Sequence, residues 1–509
     1  MSRGTLFGVA ANLVRVGTRL LLVPIMIKHL GLGGFGIWST LMVIAGYLRV
    51  GSSGIKVTFQ KYVAEAFGSG DFLRANQLVT TGTVYFVAIS ALILVPTAFF
   101  SRSVANLAGI PPEYTADSAT VIALMAIAYL ISSGMAVFEA AVCGAHRVHL
   151  MQCCTVAFTV LEFIFSVLAL RMGHGLAALG VGIATGEIGY AICGFVVAHR
   201  EIPEIALRYR YITTSVGREL ARFSGSYQLL NIMELFYVSV VPIVLLRELG
   251  AGAAGIYALC DRVARLAVTG LECSLVPLLS GSTSVFSTGS SEQMRAFVSK
   301  VFKLSLAGVL LPLAFTSAFG ATAVLAWTGQ GNQLVGLGIV FLSSAALCRS
   351  LSRVGMVLYR STGGASMDSG AQLLRIAIVL VGVYFGRHWK FYGAVSGIAF
   401  AELVGMIFML VALSRRLKYF SIEQLLGQIV HLFLPVLILV GAGEAVASIH
   451  VGFQLSTRAS ASLQLGVITT LVLALAWPSL ILTRYLSGEE LAQIKKAFFP
   501  RRGMVARNI

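Results

Sequence analysis

Apolar stretches of about twenty residues alternate with short polar breaks along the whole chain. A bilayer core is crossed by about 20 apolar residues in a helix, whereas barrel strands need alternating segments of about ten residues. We therefore predict an all-α integral membrane protein with about fourteen transmembrane helices. The predicted helices lie near residues 5–27, 35–58, 77–100, 118–142, 150–171, 175–198, 223–246, 254–280, 299–324, 335–358, 369–386, 392–413, 428–449 and 462–485.

One phrase occurs twice in the chain. "VPIMIKHLGLGGFGIW" begins at Val23, and "VPIVLLRELGAGAAGIY" begins at Val241. A later pair keeps nearly the same offset, since "GIATGE" ends at Glu187 and "GIAFAE" ends at Glu402. Both copies of the phrase match G-x-G-x-x-G, but each lies between two apolar helices and not in the strand–turn–helix unit that binds dinucleotides.

The repeat predicts two parallel six-helix halves, related by an axis along the membrane normal, because six crossings preserve orientation. They would form N- and C-lobes around a central cavity. The predicted parts are an N-lobe (1–198), a cytoplasmic linker (199–222), a C-lobe (223–414), two additional helices (415–485) and a basic cytoplasmic tail (486–509).

Composition agrees with a membrane protein and orients it. Only 12% of the 509 residues are charged, against about 25% in soluble domains. Of 38 Lys and Arg residues, 22 fall in breaks on one side of the predicted helices and seven on the other, so the positive-inside rule places both termini in the cytoplasm. The net charge of +17 thus reflects topology, and we expect no nucleic-acid partner.

Nine basic residues fall inside predicted helices, where a cation is costly unless it pairs, snorkels or lines water. Several pairs of these basic residues are three, four or seven positions apart and therefore share one helix face. Like charges can lie side by side in this way in a cavity that receives an anion. Arginine forks also suit phosphate oxygens. The candidate substrate-binding residues are Arg15, Arg19, Arg49, Lys56, Arg262, Arg265, Arg349, Arg353 and Arg375.

Acids inside the predicted helices leave a structural role open for these cations. Eight such acids could form salt bridges with them: Glu139, Glu162, Glu187, Glu234, Asp261, Glu272, Glu402 and Glu444. Glu234, Asp261 and Glu272 are candidates for coupling to a Na⁺ or H⁺ gradient, because an acid beside an arginine can alternate between partners. Neither a metal site nor a cofactor is expected, since the seven cysteines lack ligand spacing.

Residues 8–80 contain a set of motifs that look like a family signature: Asn12, Arg15, Pro24, "HLG" (His29 to Gly31), "FGIW" (Phe35 to Trp38), Tyr47 and "KYVAEAFGSGD" (Lys61 to Asp71). In these residues the chain resembles the polysaccharide (O-antigen-type) flippases of the multidrug/oligosaccharidyl-lipid/polysaccharide exporter superfamily. In that family, the basic residues of the cavity come from helices 1, 2, 7, 8 and 10. Predicted helix 7 of this chain contains no Arg or Lys, and its one charged residue is Glu234.

The resemblance implies a multi-pass protein of the bacterial cytoplasmic membrane and no enzyme activity. It would move an undecaprenyl-diphosphate-linked oligosaccharide from the inner to the outer leaflet by alternating access. Membrane lipids are implied partners, and other membrane proteins of polysaccharide assembly stay open as partners. Two rivals remain: a multidrug or cation extruder of the same superfamily, and a membrane glycosyltransferase or polymerase. Acids should dominate the cavity of the first, and the second should carry a large outer domain, neither of which the sequence offers.

Overall fold

The computed structural model describes residues 3–49, 59, 62–63, 65–67, 69–145, 147–362, 367–417, 420–448, 457–483 and 485. Within these residues the regular structure is helical and no strand occurs, which confirms the all-α class. The α-helices are α1 (Arg3–Leu48), α2 (Phe72–Phe99), α3 (Ser101–Leu107), α4 (Pro112–Gly144), α5 (Val148–Arg171), α6 (Ala177–Glu201), α7 (Thr214–Leu249), α8 (Ala251–Thr288), α9 (Ser291–Thr328), α10 (Gln333–Ser361), α11 (Met367–Gly386), α12 (Lys390–Arg416), α13 (Ile422–Ala447) and α14 (Thr457–Leu482).

Helix boundaries follow the polar breaks, where side chains cap the free backbone groups. Asp71 accepts a hydrogen bond from the Arg74 amide at 2.8 Å at the start of α2, and Ser290 and Gln293 form a capping box at the start of α9. Gly329, with φ of 75°, ends α9 in the left-handed conformation that glycine favours. These local signals explain why long apolar runs end where they do.

Ten helices of the described part are long and apolar enough to cross a membrane. α8 is not among them, and it carries Asp261, Arg262, Arg265 and Glu272. The total of about fourteen crossings therefore stays a prediction. The predicted outer break after α2 contains the short helix α3, and the predicted end of the second helix, at residue 58, lies outside the described residues.

Both copies of the repeated phrase contain the same backbone break. Gly31, inside α1, has φ 71° and ψ 176°, and Gly250, between α7 and α8, has φ 85° and ψ 175°. Essentially only glycine adopts this conformation. The break at Gly31 separates the predicted first and second helices, which adjoin within α1, and the corresponding break at Gly250 separates α7 from α8.

The two breaks also bring the copies of the phrase into contact. A Cβ on Gly36 would overlap the Ala251 carbonyl oxygen and lie 2.6 Å from the Gly255 nitrogen, and a Cβ on Gly255 would overlap the Leu32 carbonyl oxygen. Gly36 and Gly255 are equivalent positions of the repeat, as are Leu32 and Ala251. The contact is reciprocal, so each copy presents the same glycine to the same backbone position of the other.

The chain divides into two compact units. Unit 1 comprises residues 1–258 and 379–394, and unit 2 comprises residues 259–378 and 395–509. In unit 1, α4 packs on α2 and α6, and α5 packs on α1 and α6. A buried cluster of unit 1 includes Phe59, Phe86, Phe138 and Met151. These contacts hold the first six predicted helices as one bundle.

Unit 2 is built around α9, which packs against α10, α13 and α14. Phe302 of α9 and Phe420 stack with ring centroids 4.9 Å apart, and Leu358 and Leu413 lie in the same buried cluster. α13 and α14 therefore pack on the body of unit 2 through α9.

The segment between α6 and α7 is fastened to the start of α2. Asn76, on α2, donates to the Glu204 carbonyl at 3.0 Å and accepts from the Ala206 amide at 2.8 Å. Thr81, one turn and a half further on, donates to the Tyr211 carbonyl at 3.3 Å and accepts from the Thr213 amide at 3.1 Å. Two buried side chains of α2 thus satisfy four backbone groups of a segment about 130 residues away.

Candidate substrate-binding site

Arg49 stands at the end of α1 beside an acid of α6. Its Nη2 donates to Glu187 Oε1, and its guanidinium lies over the ring of Tyr129 on α4, 4.5 Å from the centroid. Ser132, one turn further along α4, donates to the other Glu187 oxygen at 3.4 Å. The side chains of Arg49 and Glu187 are 47% and 23% exposed, so this ion pair is open to an incoming ligand.

Two further arginines lie on the N-terminal part of α1. Arg15 and Arg19 are separated by one helical turn and both are exposed. Arg19 interacts electrostatically with Arg15, Arg49 and Glu162 of α5. Three predicted substrate-binding arginines therefore share one electrostatic environment in unit 1, with Glu162 and Glu187 nearby.

A second charged cluster, in unit 2, is buried. Arg349 Nε on α10 donates to Glu402 Oε1 on α12 at 2.5 Å, and Arg375 Nε on α11 lies 3.3 Å from Glu402 Oε2. The side chains of Arg349 and Arg375 are 18% and 5% exposed, and Glu402 is fully buried. Arg375 also donates to Ser352. This triad joins three helices and is closed to large ligands.

Room for the buried Arg375 comes from a glycine. A Cβ on Gly405, one turn after Glu402 on α12, would lie within 2.8 Å of Arg375 Cγ and overlap its Nε. The acid and the glycine of α12 together receive the guanidinium of α11. Arg375, the one basic residue of α11, is thus accommodated by Glu402 and by the space at Gly405.

The two acids at the centres of these clusters are equivalent in the repeat. Glu187 ends "GIATGE" on α6 and Glu402 ends "GIAFAE" on α12. In each unit this acid binds an intramembrane arginine of that unit, although the arginines come from different helices. Sequence reasoning aligned both acids through the repeat but did not assign their arginine partners or place either acid at the candidate site.

Four of the other predicted site residues form two ion pairs. Arg353 donates to Glu272, and Arg265 Nε donates to Asp261 Oδ2 at 2.7 Å, one turn apart on α8. Arg262, on α8, and Glu234, on α7, are partly buried. Lys56 lies outside the described residues. Asp261 and Glu272, candidates for ion coupling, are therefore both engaged by predicted substrate-binding arginines.

Metal chemistry finds no support in the part of the chain that the structure describes. No group of three or more His, Cys, Asp or Glu side chains there could hold a metal ion. The seven cysteines are unpaired thiols distributed over α4, α5, α6, α8 and α10. The chemistry of the site consists of arginines, carboxylates and aromatic or hydroxyl side chains.

Comparison with known proteins identifies the family. A family model described as "Polysaccharide biosynthesis protein" matches residues 73–330, just over half of the chain. The chain belongs to this polysaccharide biosynthesis protein family. The match lies almost wholly beyond the N-terminal motifs that suggested a polysaccharide flippase, so the two observations are independent and the predicted resemblance is confirmed.

A bacterial relative matches two thirds of the chain. The uncharacterized membrane protein EpsK of Bacillus subtilis (strain 168) is 23% identical over 354 residues, which cover 67% of this chain and 68% of EpsK. This relative supports the description of the chain as a multi-pass membrane protein.

Solved structures share the fold at low sequence identity. The lipid II flippase MurJ, in an inward closed conformation, superposes with a TM-score of 0.66 at 13% identity, covering 94% of this chain and 100% of MurJ. An inward-facing MATE family transporter of the MOP superfamily has a TM-score of 0.64 at 14% identity, covering 82% and 95%. A point mutant of the Vibrio cholerae MATE transporter VcmN has a TM-score of 0.55 at 17% identity, covering 83% and 100%. The chain thus shares the fold of these proteins.

Proposed function

We propose that the protein is a flippase that moves an undecaprenyl-diphosphate-linked oligosaccharide from the inner to the outer leaflet of a bacterial cytoplasmic membrane. The observation that carries this proposal is the group of three arginines on α1. Arg15, Arg19 and Arg49 are exposed, lie within one electrostatic environment, and offer the fork geometry that binds phosphate oxygens.

The diphosphate binds to the arginines of unit 1 while the polyprenyl tail remains in the bilayer. A diphosphate is a concentrated anion, and guanidinium groups bind its oxygens in pairs, which fixes orientation as well as charge. The buried triad of unit 2 has a different task in this proposal. Arg349 and Arg375 bind Glu402 and join α10, α11 and α12, because these side chains are too buried to admit a lipid-linked diphosphate.

Transport proceeds by alternating access, with both termini in the cytoplasm, and no covalent step is needed. Coupling to a Na⁺ or H⁺ gradient would run through carboxylates that exchange partners. Asp261 and Glu272 serve this role in the proposal, because both are ion-paired at partly exposed positions where a cation could replace the arginine. Glu234 on α7 is the third candidate. Membrane lipids and other proteins of polysaccharide assembly are the expected partners.

The proposal is tested by removing charge at the open site. We expect Arg15→Ala, Arg19→Ala and Arg49→Ala to reduce export of polysaccharide and to cause lipid-linked oligosaccharide to accumulate on the inner leaflet. Arg102→Ala is the matched control, because Arg102 is an exposed arginine on α3 outside the cluster. Both quantities are measured per folded molecule.

Two results would contradict the proposal. Wild-type export per folded molecule from all three alanine variants would remove these arginines from the site. Normal distribution of lipid-linked oligosaccharide after deletion of the whole protein, together with loss of drug or cation efflux, would favour the extruder of the same fold.

A further inference from the structure

The Arg49–Glu187 ion pair places an acid of the protein where the substrate's diphosphate is proposed to bind. Glu187 Oε1 accepts from Arg49 Nη2, so an incoming phosphate oxygen and this carboxylate oxygen compete for the same guanidinium. While Glu187 occupies Nη2, a phosphate cannot bind the pair of N–H groups that includes it, and the charge of the carboxylate repels the phosphate.

Glu187 is held loosely enough to move. Its other oxygen accepts a weak hydrogen bond from Ser132 at 3.4 Å, longer than the usual range of about 2.5–3.0 Å for a hydroxyl donor and an oxygen acceptor. Its side chain is 23% exposed, whereas Glu402, the equivalent acid in unit 2, is fully buried. Displacing Glu402 would leave buried guanidinium groups unneutralised, which is strongly unfavourable. Displacing Glu187 costs less, because its carboxylate is already partly exposed.

Arg49 stays in position when Glu187 leaves. Its guanidinium lies over the ring of Tyr129, which is only 6% exposed and is fixed on α4, and a cation over an aromatic face is attracted to it without a counter-charge. The charged groups that surround the pair are Arg15 and Arg19 on α1 and Glu162 on α5. The two arginines add to the attraction for a diphosphate, and the acid opposes it.

We propose that Glu187 is an internal counter-anion, which occupies Arg49 in the empty transporter and is displaced from it by the diphosphate of the substrate. Glu187 thereby weakens substrate binding and recaptures Arg49 when the diphosphate leaves, which favours release. This inference rests on the proposed function, since it assumes that a diphosphate binds at Arg49.

The test measures binding of farnesyl diphosphate, a short polyprenyl diphosphate, to the full-length protein in nanodiscs of zwitterionic lipid. Farnesol, which has the same chain without charge, corrects for partition into the bilayer. We expect Glu187→Gln to bind farnesyl diphosphate about fivefold more tightly than wild type, the equivalent of about 1 kcal/mol for removing a partly exposed competing ion pair. Arg49→Ala should bind more weakly, and Arg49→Ala/Glu187→Gln should show no gain over Arg49→Ala.

A second variant keeps the test valid if Glu187→Gln folds poorly. Ser132→Ala removes the hydrogen bond to Glu187 without touching Arg49, and should tighten binding in the same direction by a smaller factor. Unchanged or weaker binding by Glu187→Gln, or by Ser132→Ala if it alone folds, would overturn the role of Glu187 while Arg49→Ala still weakens binding. If wild type binds farnesyl diphosphate no better than farnesol, diphosphate recognition itself fails, and this inference fails with it.

Discussion

Replacing Gly36 with alanine tests the contact between the two copies of the repeated phrase. The added Cβ would overlap the Ala251 carbonyl oxygen and lie 2.6 Å from the Gly255 nitrogen. Both neighbours are backbone atoms of α8, so no side chain can rotate away and the helices must separate. Such overpacking costs about 1–3 kcal/mol, offset by about 0.5–1 kcal/mol from replacing glycine within a helix. We expect a net loss of about 1–2 kcal/mol.

The assay is the thermal unfolding midpoint of the purified protein in detergent. Gly252→Ala is the control, since it lies in the same phrase and nothing is within 4 Å of its added Cβ; it should leave the midpoint unchanged or raise it. Gly36→Ala/Gly255→Ala should cost less than the sum of the single changes, because one separation of the helices relieves both. Equal midpoints for Gly36→Ala and Gly252→Ala would refute the reasoning.

Three further predictions concern the buried triad, the fastened segment and the orientation. Glu402→Ala should cost about 3–5 kcal/mol, because it leaves buried arginines unpaired, and should lower folded yield in size-exclusion chromatography, whereas Glu187→Ala should not. Asn76→Ala should increase proteolysis between residues 202 and 213, since two backbone groups lose their partner at about 1–3 kcal/mol; unchanged cleavage would contradict the fastening. A cysteine at Arg208, with the native cysteines replaced, should resist an impermeant thiol reagent in intact cells, and labelling as rapid as at Arg102 would reverse the topology.

Helices and repeat could be predicted from the sequence because both depend on local composition. The apolar runs and the polar breaks located the helices, and the offset between the two phrases located equivalent positions. The gap between the first and second predicted helices, residues 28–34, contains the break at Gly31. The positive φ at Gly31 was not predicted, because a glycine in such a gap is compatible with many backbone angles.

The charged clusters could be predicted only in part. The arginines were identified because a cation within an apolar helix is rare, but the partners of Arg49, Arg349 and Arg375 lie 27 to 138 residues away in the chain. Nothing in the local sequence distinguishes Arg375, which is buried against Glu402, from Arg49, which is half exposed beside Glu187. That difference depends on packing between helices, above all on the space at Gly405.

The glycine contact has a consequence for the origin of the chain. Gly36 of the first copy contacts Ala251 of the second, and Gly255 of the second contacts Leu32 of the first. Equivalent residues therefore make equivalent contacts in both directions, as they do in the interface of a symmetric homodimer. A single ancestral half that carried this phrase could have bound a second molecule of itself in the same orientation in the membrane. Gene duplication and fusion would then have joined two subunits that already recognised each other, and the phrase is repeated because each copy is the other's original binding partner.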